Sequence, residues 1–314
     1  MERGVSTGER AEAGPLIVSA GMSYRAMTMS ILELADEAGY RAALIDATDG
    51  TVTAWPRFAW TVRAAAQGLG RRGLAEGDTA AVFVPDAASA AIAVNAIRAA
   101  GAIASLIHPD ASPADIAGRL NACGARLLIT SAPLAELAAE AADRSRVRQI
   151  IAFGEAAATT PFSSLLESSR HGLAGEHEPR EHEPREREPR ERGLAYEHGL
   201  TLAADSGYEL THRDVVVAAP PCGDGSAYTS LLDLTLLTGA TLVAAPLPLV
   251  TAAMRTYKGT AAIVPRGTHV PGVPPARFFP IALGQRAGML ATKTRWPLRA
   301  AAGRGRGRVR ASWS

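Results

Sequence analysis

The sequence predicts an α/β fold, a parallel sheet or sheets with helices on both faces. Two observations carry this. Between residues 79 and 153, short apolar runs (TAAVFVP, AIASLIH, ARLLIT, VRQIIAF) alternate with helical stretches of about ten to fifteen residues, as βαβ units do. The alternation resumes between 215 and 265 in VVVAAPP, ATLVAAP and TAAIVP. Runs so continuously apolar suit strands buried on both faces, the situation of parallel sheets.

The elements follow in order. Residues 1–25 read as a loose leader without order. From Ser30, the positions Ile31, Leu32, Leu34 and Ala35 outline a short amphipathic helix that Gly39 stops. ALID (43–46) and TVTAW (51–55) flank Asp49-Gly50, a hairpin turn signal, and a helix runs from about 57 to 72, ended by Gly73. Strands at 79–85, 102–108, 125–130 and 147–153 then alternate with helices at 87–101, 112–124 and 133–145. The second of these helices carries a Ser112 cap, Pro113 at its first position and Gly124 at its stop, the expected asymmetry of helix ends.

Residues 176–192 break the pattern with a pentapeptide repeat, EHEPR-EHEPR-EREPR-ER. A proline every five residues forbids a helix, and so charged a stretch has no apolar surface to bury, so it reads as a solvated spacer. His177-Glu178 and His182 superficially resemble a zinc-protease motif. Their spacing is one residue too long for one helical face, and Pro179 interrupts any helix, so no metal site is expected. Beyond the spacer come a strand at 215–221, a helix at 230–239, a strand at 240–246, a short helix around Met254 and a strand at 260–265. The organisation expected is a leader (1–25), a first α/β subdomain (26–170), the spacer (171–195), a partial second α/β subdomain (196–270) and a basic tail without structure (271–314).

Composition narrows the function classes. Hydrophobic residues make up 47% and charged residues 20%, which excludes wholesale disorder, and a net charge of +2 gives no global field toward nucleic acid or anionic lipid. Cys123 and Cys222 lie far apart, which excludes a disulfide scaffold or a Cys-rich zinc site. The mixed charges of the first 21 residues do not make a signal peptide, so a cytoplasmic protein is expected. Leu234–Met254 is uncharged for 21 residues, yet Gly239, Pro246 and Pro248 punctuate it, so a buried helix–strand pair is expected and no membrane span. The Gly-Arg alternation near the C-terminus is attributed to composition, not to nucleic-acid binding. After Asp233 no acidic residue occurs, while twelve Lys or Arg do. The loss of acids and of periodicity from Arg266 onward suggests a frame-shifted or diverged remnant.

Five passages in order resemble the adenylate-forming, AMP-producing acyl-CoA synthetases, most closely their coumarate–CoA ligase-like branch. They are AALIDATDGTVTAW, then GLGRRGLAEGDTAAVFVP with Gly68, Gly73, Gly77, Asp78 and Pro85 in step, then SPADIAGRLNACGARLLIT, LTHRDVV at 210–216 and LTGATLVAAP at 237–246. The resemblance implies the N-terminal portion of such an enzyme, which uses ATP, Mg²⁺ and CoA to turn a carboxylic acid into an acyl-adenylate and then a thioester. It also implies a phosphate loop at 197–207, where small residues let backbone N–H groups approach phosphate. Gly199, Thr201, Gly207 and, just beyond, Thr211 match family positions. Leu202 replaces the middle glycine, Ser206 stands in place of the lysine, Glu197 and Asp205 add negative charge, and Asp224 takes the place of a pocket histidine. Only two lysines, Lys258 and Lys293, occur in the whole chain. The family's adenine motif, ribose aspartate, hinge and catalytic lysine find no match, so no catalytic residue is assigned. The expectation is a chain inactive alone that joins a second copy or a partner supplying the other half, or else a non-catalytic interaction protein with an open sheet edge.

Overall fold

The computed structural model describes residues 23–171, 210–221, 225–265, 268–270 and 278–281. The spacer repeat, the 197–207 segment and most of the basic tail lie outside these residues. The elements are α1 (Tyr24–Glu37), β1 (Ala42–Asp46), β2 (Val52–Ala54), α2 (Trp55–Arg71), β3 (Thr79–Phe83), α3 (Ala87–Ala99) and β4 (Ile103–Leu106). There follow α4 (Pro113–Cys123), β5 (Leu127–Ser131), α5 (Ala135–Asp143), β6 (Gln149–Phe153), β7 (Thr160–Pro161) and α6 (Ser163–His171). The last group is β8 (Val215–Ala218), α7 (Gly225–Leu237), β9 (Thr241–Ala244), α8 (Val250–Thr256), β10 (Ala261–Pro265) and β11 (Phe278–Ile281).

They form two sheets. One has six strands in the order β11-β10-β8-β9-β1-β2, all parallel except the β1–β2 hairpin; the other is parallel, in the order β4-β3-β5-β6-β7. The α/β class with parallel sheets between helices is therefore as expected. Side-chain alternation along the strands explains the layering. Val216 and Ala218 of β8, with Leu242 and Ala244 of β9, join Ala80 and Val82 of β3 and Ile129 of β5 in one core. That core also holds the buried faces of α1, α2, α3 and α7, so these helices lie between the sheets. Phe83 and Leu128 point the other way, onto α4 and α5. Val217 and Val243 point onto α8.

Several boundaries differ from the sequence reading. α1 begins six residues before Ser30, because the Ser23 hydroxyl accepts from the Ala26 N–H at 3.2 Å and so caps a helix whose buried face is Met27, Thr28, Ile31, Leu32 and Ala35. The ordered chain thus reaches into the stretch read as a leader. β7 and α6 were not anticipated. α6 is held by a close approach to α2: a Cβ at Gly68 would lie 2.5 Å from the Leu165 carbonyl oxygen. α7 starts at Gly225, five residues before the expected Ser230. β11 falls in the tail expected to be without structure, where it pairs in parallel with β10 from Ala262↔Phe278 to Pro265↔Ile281. The β1–β2 hairpin also joins the sheet of the second half, with Leu44 beside Leu242. Among the described residues, no helix is long and apolar enough to cross a membrane.

Among the described residues, the central layer contains one buried ion pair. Arg98 of α3 donates to the Asp233 carboxylate of α7 at 2.6 Å, with side chains 4% and 1% exposed, and its guanidinium lies 4.4 Å from the Tyr24 ring centre. Burial pushes the Asp233 carboxyl above its ordinary value, while Arg98 pulls it down. Nearby, the buried Thr28 hydroxyl donates to Asn95 Oδ1 at 2.9 Å, and Asn95 Nδ2 donates to the Ala91 carbonyl.

Candidate functional site

Open parallel sheets bind ligands outside the carboxyl ends of their strands, where successive helices leave to opposite faces. β8 and β9 are adjacent and meet that condition: α7 leaves to the inner face and α8 to the outer. The floor there is made of small residues, and its ladder continues past the strands. Ala245 N–H donates to the Ala218 carbonyl at 3.0 Å, and Ala219 N–H to the Ile263 carbonyl at 2.8 Å. The buried Tyr228 hydroxyl donates to the Ala219 carbonyl at 2.6 Å, which pins the first turns of α7 onto the exit of β8. Gly225 opens α7 against the other sheet. A Cβ there would sit 3.1 Å from the Leu106 carbonyl oxygen, at the end of β4, so only glycine allows this approach without a shift.

Two carboxylates border the same edge. Asp46 ends β1, its Oδ1 accepting from the Thr48 N–H at 2.8 Å. Asp86 follows β3 and caps α3, its Oδ1 accepting from the Ser89 N–H at 2.7 Å. Burial pushes the Asp86 carboxyl above its ordinary value; the Ser89 hydrogen bonds act against this, and the Asp46 charge adds to the rise. Among the described residues, three cations of this sheet sit at the other edge. Arg41, Arg213 and Lys258 precede β1, β8 and β10, and Arg41 Nη1 donates to the His212 and Gly239 carbonyls at 3.0 and 3.2 Å.

Of the four residues proposed as phosphate-loop positions, Gly199, Thr201 and Gly207 lie outside the described residues. Thr211 is described, and it too precedes β8 at the amino edge. Its N–H and hydroxyl both donate to Asp214 Oδ2, at 2.7 and 2.9 Å, and Asp214 Oδ1 accepts from the Thr260 hydroxyl at 2.7 Å. The hydroxyl thus closes a turn into β8. Asp46 and Asp86 were missed by sequence reasoning. The available signal was local: an aspartate between Pro85 and an alanine-rich helix is an N-cap, and a cap after a parallel strand stands at the carboxyl edge. Among the described residues, no group of three or more His, Cys, Asp or Glu could hold a metal ion. The described part of the crevice is bordered by these two carboxylates and by the amino ends of α3 and α7, while the 197–207 segment lies outside the described residues.

The family model described as "AMP-binding enzyme" matches residues 33–274. The chain belongs to the AMP-binding enzyme family. Its relatives include 4-coumarate–CoA ligase 2 of Solanum tuberosum, 24% identical over 186 residues, covering 59% of this chain and 32% of the relative. A 4-coumarate–CoA ligase-like protein of Oryza sativa subsp. japonica is 33% identical over 89 residues, 28% of this chain and 15% of the relative. Among solved structures, a long-chain-fatty-acid–CoA ligase from Archaeoglobus fulgidus superposes with a TM-score of 0.61 at 17% identity, covering 76% of this chain and 51% of that one. A benzoate–CoA ligase from Burkholderia xenovorans gives 0.59 at 17% identity, covering 79% and 53%. These likenesses show the fold. The chain spans about a third of the curated relative it matches over 186 residues and about half of these solved chains.

Proposed function

We propose that this chain is the amino-terminal portion of an AMP-dependent acyl- or aryl-CoA synthetase, and that it does not activate a carboxylic acid by itself. In the complete reaction, a carboxylate oxygen attacks the α-phosphorus of ATP and pyrophosphate leaves. The CoA thiol then displaces AMP from the acyl-adenylate, forming the thioester. Charge develops on the phosphates in the first step and has to be met by magnesium and fixed donors. The observation that carries the reading is the carboxyl-edge crevice, bordered by Asp46 and Asp86 while Arg41, Arg213 and Lys258 stand at the opposite edge. Negative charge facing a triphosphate opposes binding. The Leu202 and Ser206 replacements in the 197–207 segment act in the same direction. ATP, Mg²⁺, CoA and the acid are thus reactants of a whole enzyme whose remaining half is supplied by a partner chain, in the cytoplasm where those reactants are found.

A thermal melt with and without Mg²⁺-ATP, paired with acid-dependent ATP–pyrophosphate exchange over a panel of aryl and fatty acids, tests this. A ligand at a hundred times its dissociation constant adds about 2.7 kcal/mol to the folded state. A cooperative melt indifferent to Mg²⁺-ATP, with no exchange, is expected. A raised midpoint together with exchange would show autonomous adenylation and refute the reading.

A further inference from the structure

A second concavity, of about 590 Å³, lies at the other end of the five-stranded sheet, where β3, β5 and β6 begin. Its lining includes Arg72, Asp78, Cys123, Arg126 and Arg148. Arg126 and Arg148 immediately precede β5 and β6, which pair in register as Leu127↔Gln149, and Arg148 N–H donates to the Arg126 carbonyl at 2.8 Å. The two guanidinium side chains therefore leave adjacent positions about 4.8 Å apart across the ladder. Like charges so placed repel. Both are exposed, and neither is ion-paired among the described residues.

The local charge balance is positive. Arg72 Nη2 donates to the Ser164 hydroxyl at 2.9 Å, which fixes a third guanidinium at the cavity. Asp78 is the single carboxylate of the lining, and its Oδ2 accepts from the Ala75 N–H at 2.9 Å. The carboxyl ends of α2 and α4 border the cavity and contribute about half a negative charge each. Three positive charges against one carboxylate and about one unit from the helix ends leave an excess of about one. A pair of guanidiniums side by side offers planar forks of N–H donors, the geometry that takes phosphate oxygens.

We propose that this cavity binds the phosphate groups of a small soluble molecule, held by Arg126 and Arg148 with Arg72 at its flank. The site is separate from the carboxyl-edge crevice, at the opposite ends of the strands. Binding removes the repulsion between the two strand entrances and covers Cys123.

Cys123 supplies a local readout. With Cys222→Ser as background, it is the one thiol left, and its modification by a neutral thiol reagent is timed at constant ionic strength with inorganic phosphate, pyrophosphate or ADP. Saturable, several-fold slowing is expected. It should vanish in Arg126→Gln/Arg148→Gln, whose substitutions are exposed and do not lower the melting midpoint. Slowing by ADP at lower concentration than by pyrophosphate assigns a nucleotide; equal slowing assigns bare phosphate. No slowing at millimolar ligand, or the same slowing in the double variant, overturns the proposal.

Discussion

Replacing Arg98 with methionine removes one member of the buried pair and leaves Asp233, 1% exposed, inside the central helix layer. With charge centres about 4 Å apart and an effective dielectric of about 20, the lost attraction is about 4 kcal/mol. Removing one partner of a buried pair typically costs about 3–5 kcal/mol, against a total stability of about 5–15 kcal/mol for a domain. Equilibrium urea unfolding at neutral pH should therefore show Arg98→Met losing about 3–5 kcal/mol with an unchanged slope. The double variant Arg98→Met/Asp233→Leu should recover to within about 1 kcal/mol of the parent, because the uncompensated charge is gone. The pH dependence has a definite sign. The Asp233 carboxyl is raised in the folded state, so its contribution is full below the unfolded value of about 3.9 and is lost as pH rises through the folded value. Without Arg98 to pull it down it rises further, so the deficit of Arg98→Met should shrink on acidification. A single-variant cost below about 1 kcal/mol, or single costs that simply add in the double variant, would refute this account of the pair.

Substitutions at two further positions test other parts of the structure. At Asp86, Asn keeps the cap on α3 but removes a charge that burial and Asp46 disfavour, so Asp86→Asn should stabilise the protein at neutral pH by up to about 1 kcal/mol, whereas Asp86→Ala loses the cap and costs about 1 kcal/mol. The raised carboxyl also means that the gain from Asn should fade as pH drops toward the ordinary carboxylate range, which urea titrations at several pH values will show. At Gly68, alanine would normally favour a helix by about 1 kcal/mol. Here its Cβ would meet the Leu165 carbonyl oxygen at 2.5 Å, so Gly68→Ala should destabilise by about 1–3 kcal/mol in a thermal or urea melt.

What could be read from the sequence was local. The strands between 79 and 153 fall within a few residues of their expected limits, because buried parallel strands write themselves as apolar runs and Ser112, Pro113 and Gly124 mark helix ends through their own backbone preferences. What was missed depends on distant partners. β1 belongs beside β9 because Leu44 meets Leu242, a pairing that no window around residue 44 contains. α6 is decided by the space that Gly68 leaves for Leu165. Arg98 and Asp233 each stood alone in an apolar helix, a sign that each required a buried partner, but neither sequence segment named the other. The site was legible only in outline. The family resemblance pointed to 197–207, which lies outside the described residues, and the carboxylates bordering the described crevice come from the ends of β1 and β3.

The two-sheet topology also bears on how a second half would join. An incomplete parallel sheet is expected to expose an edge that templates another strand. Among the described residues, the four sheet edges are each poor templates. β2 has three residues, and β7 has two, ending in Pro161. β4 is met at its carboxyl end by Gly225 of α7. β11 contains Pro280, which lacks an N–H to donate, and proline within a sheet is tolerated mainly at edges. Sheet extension is therefore the less favoured route to a partner. The β1–β2 hairpin lies in the same sheet as β8, β9 and β10, and the Arg98–Asp233 pair ties α3 to α7, so the stretches before and after the spacer form one body. The partner chain proposed above would therefore meet one preformed body, whose carboxyl edge shows Asp46 and Asp86 and no cation paired with them among the described residues.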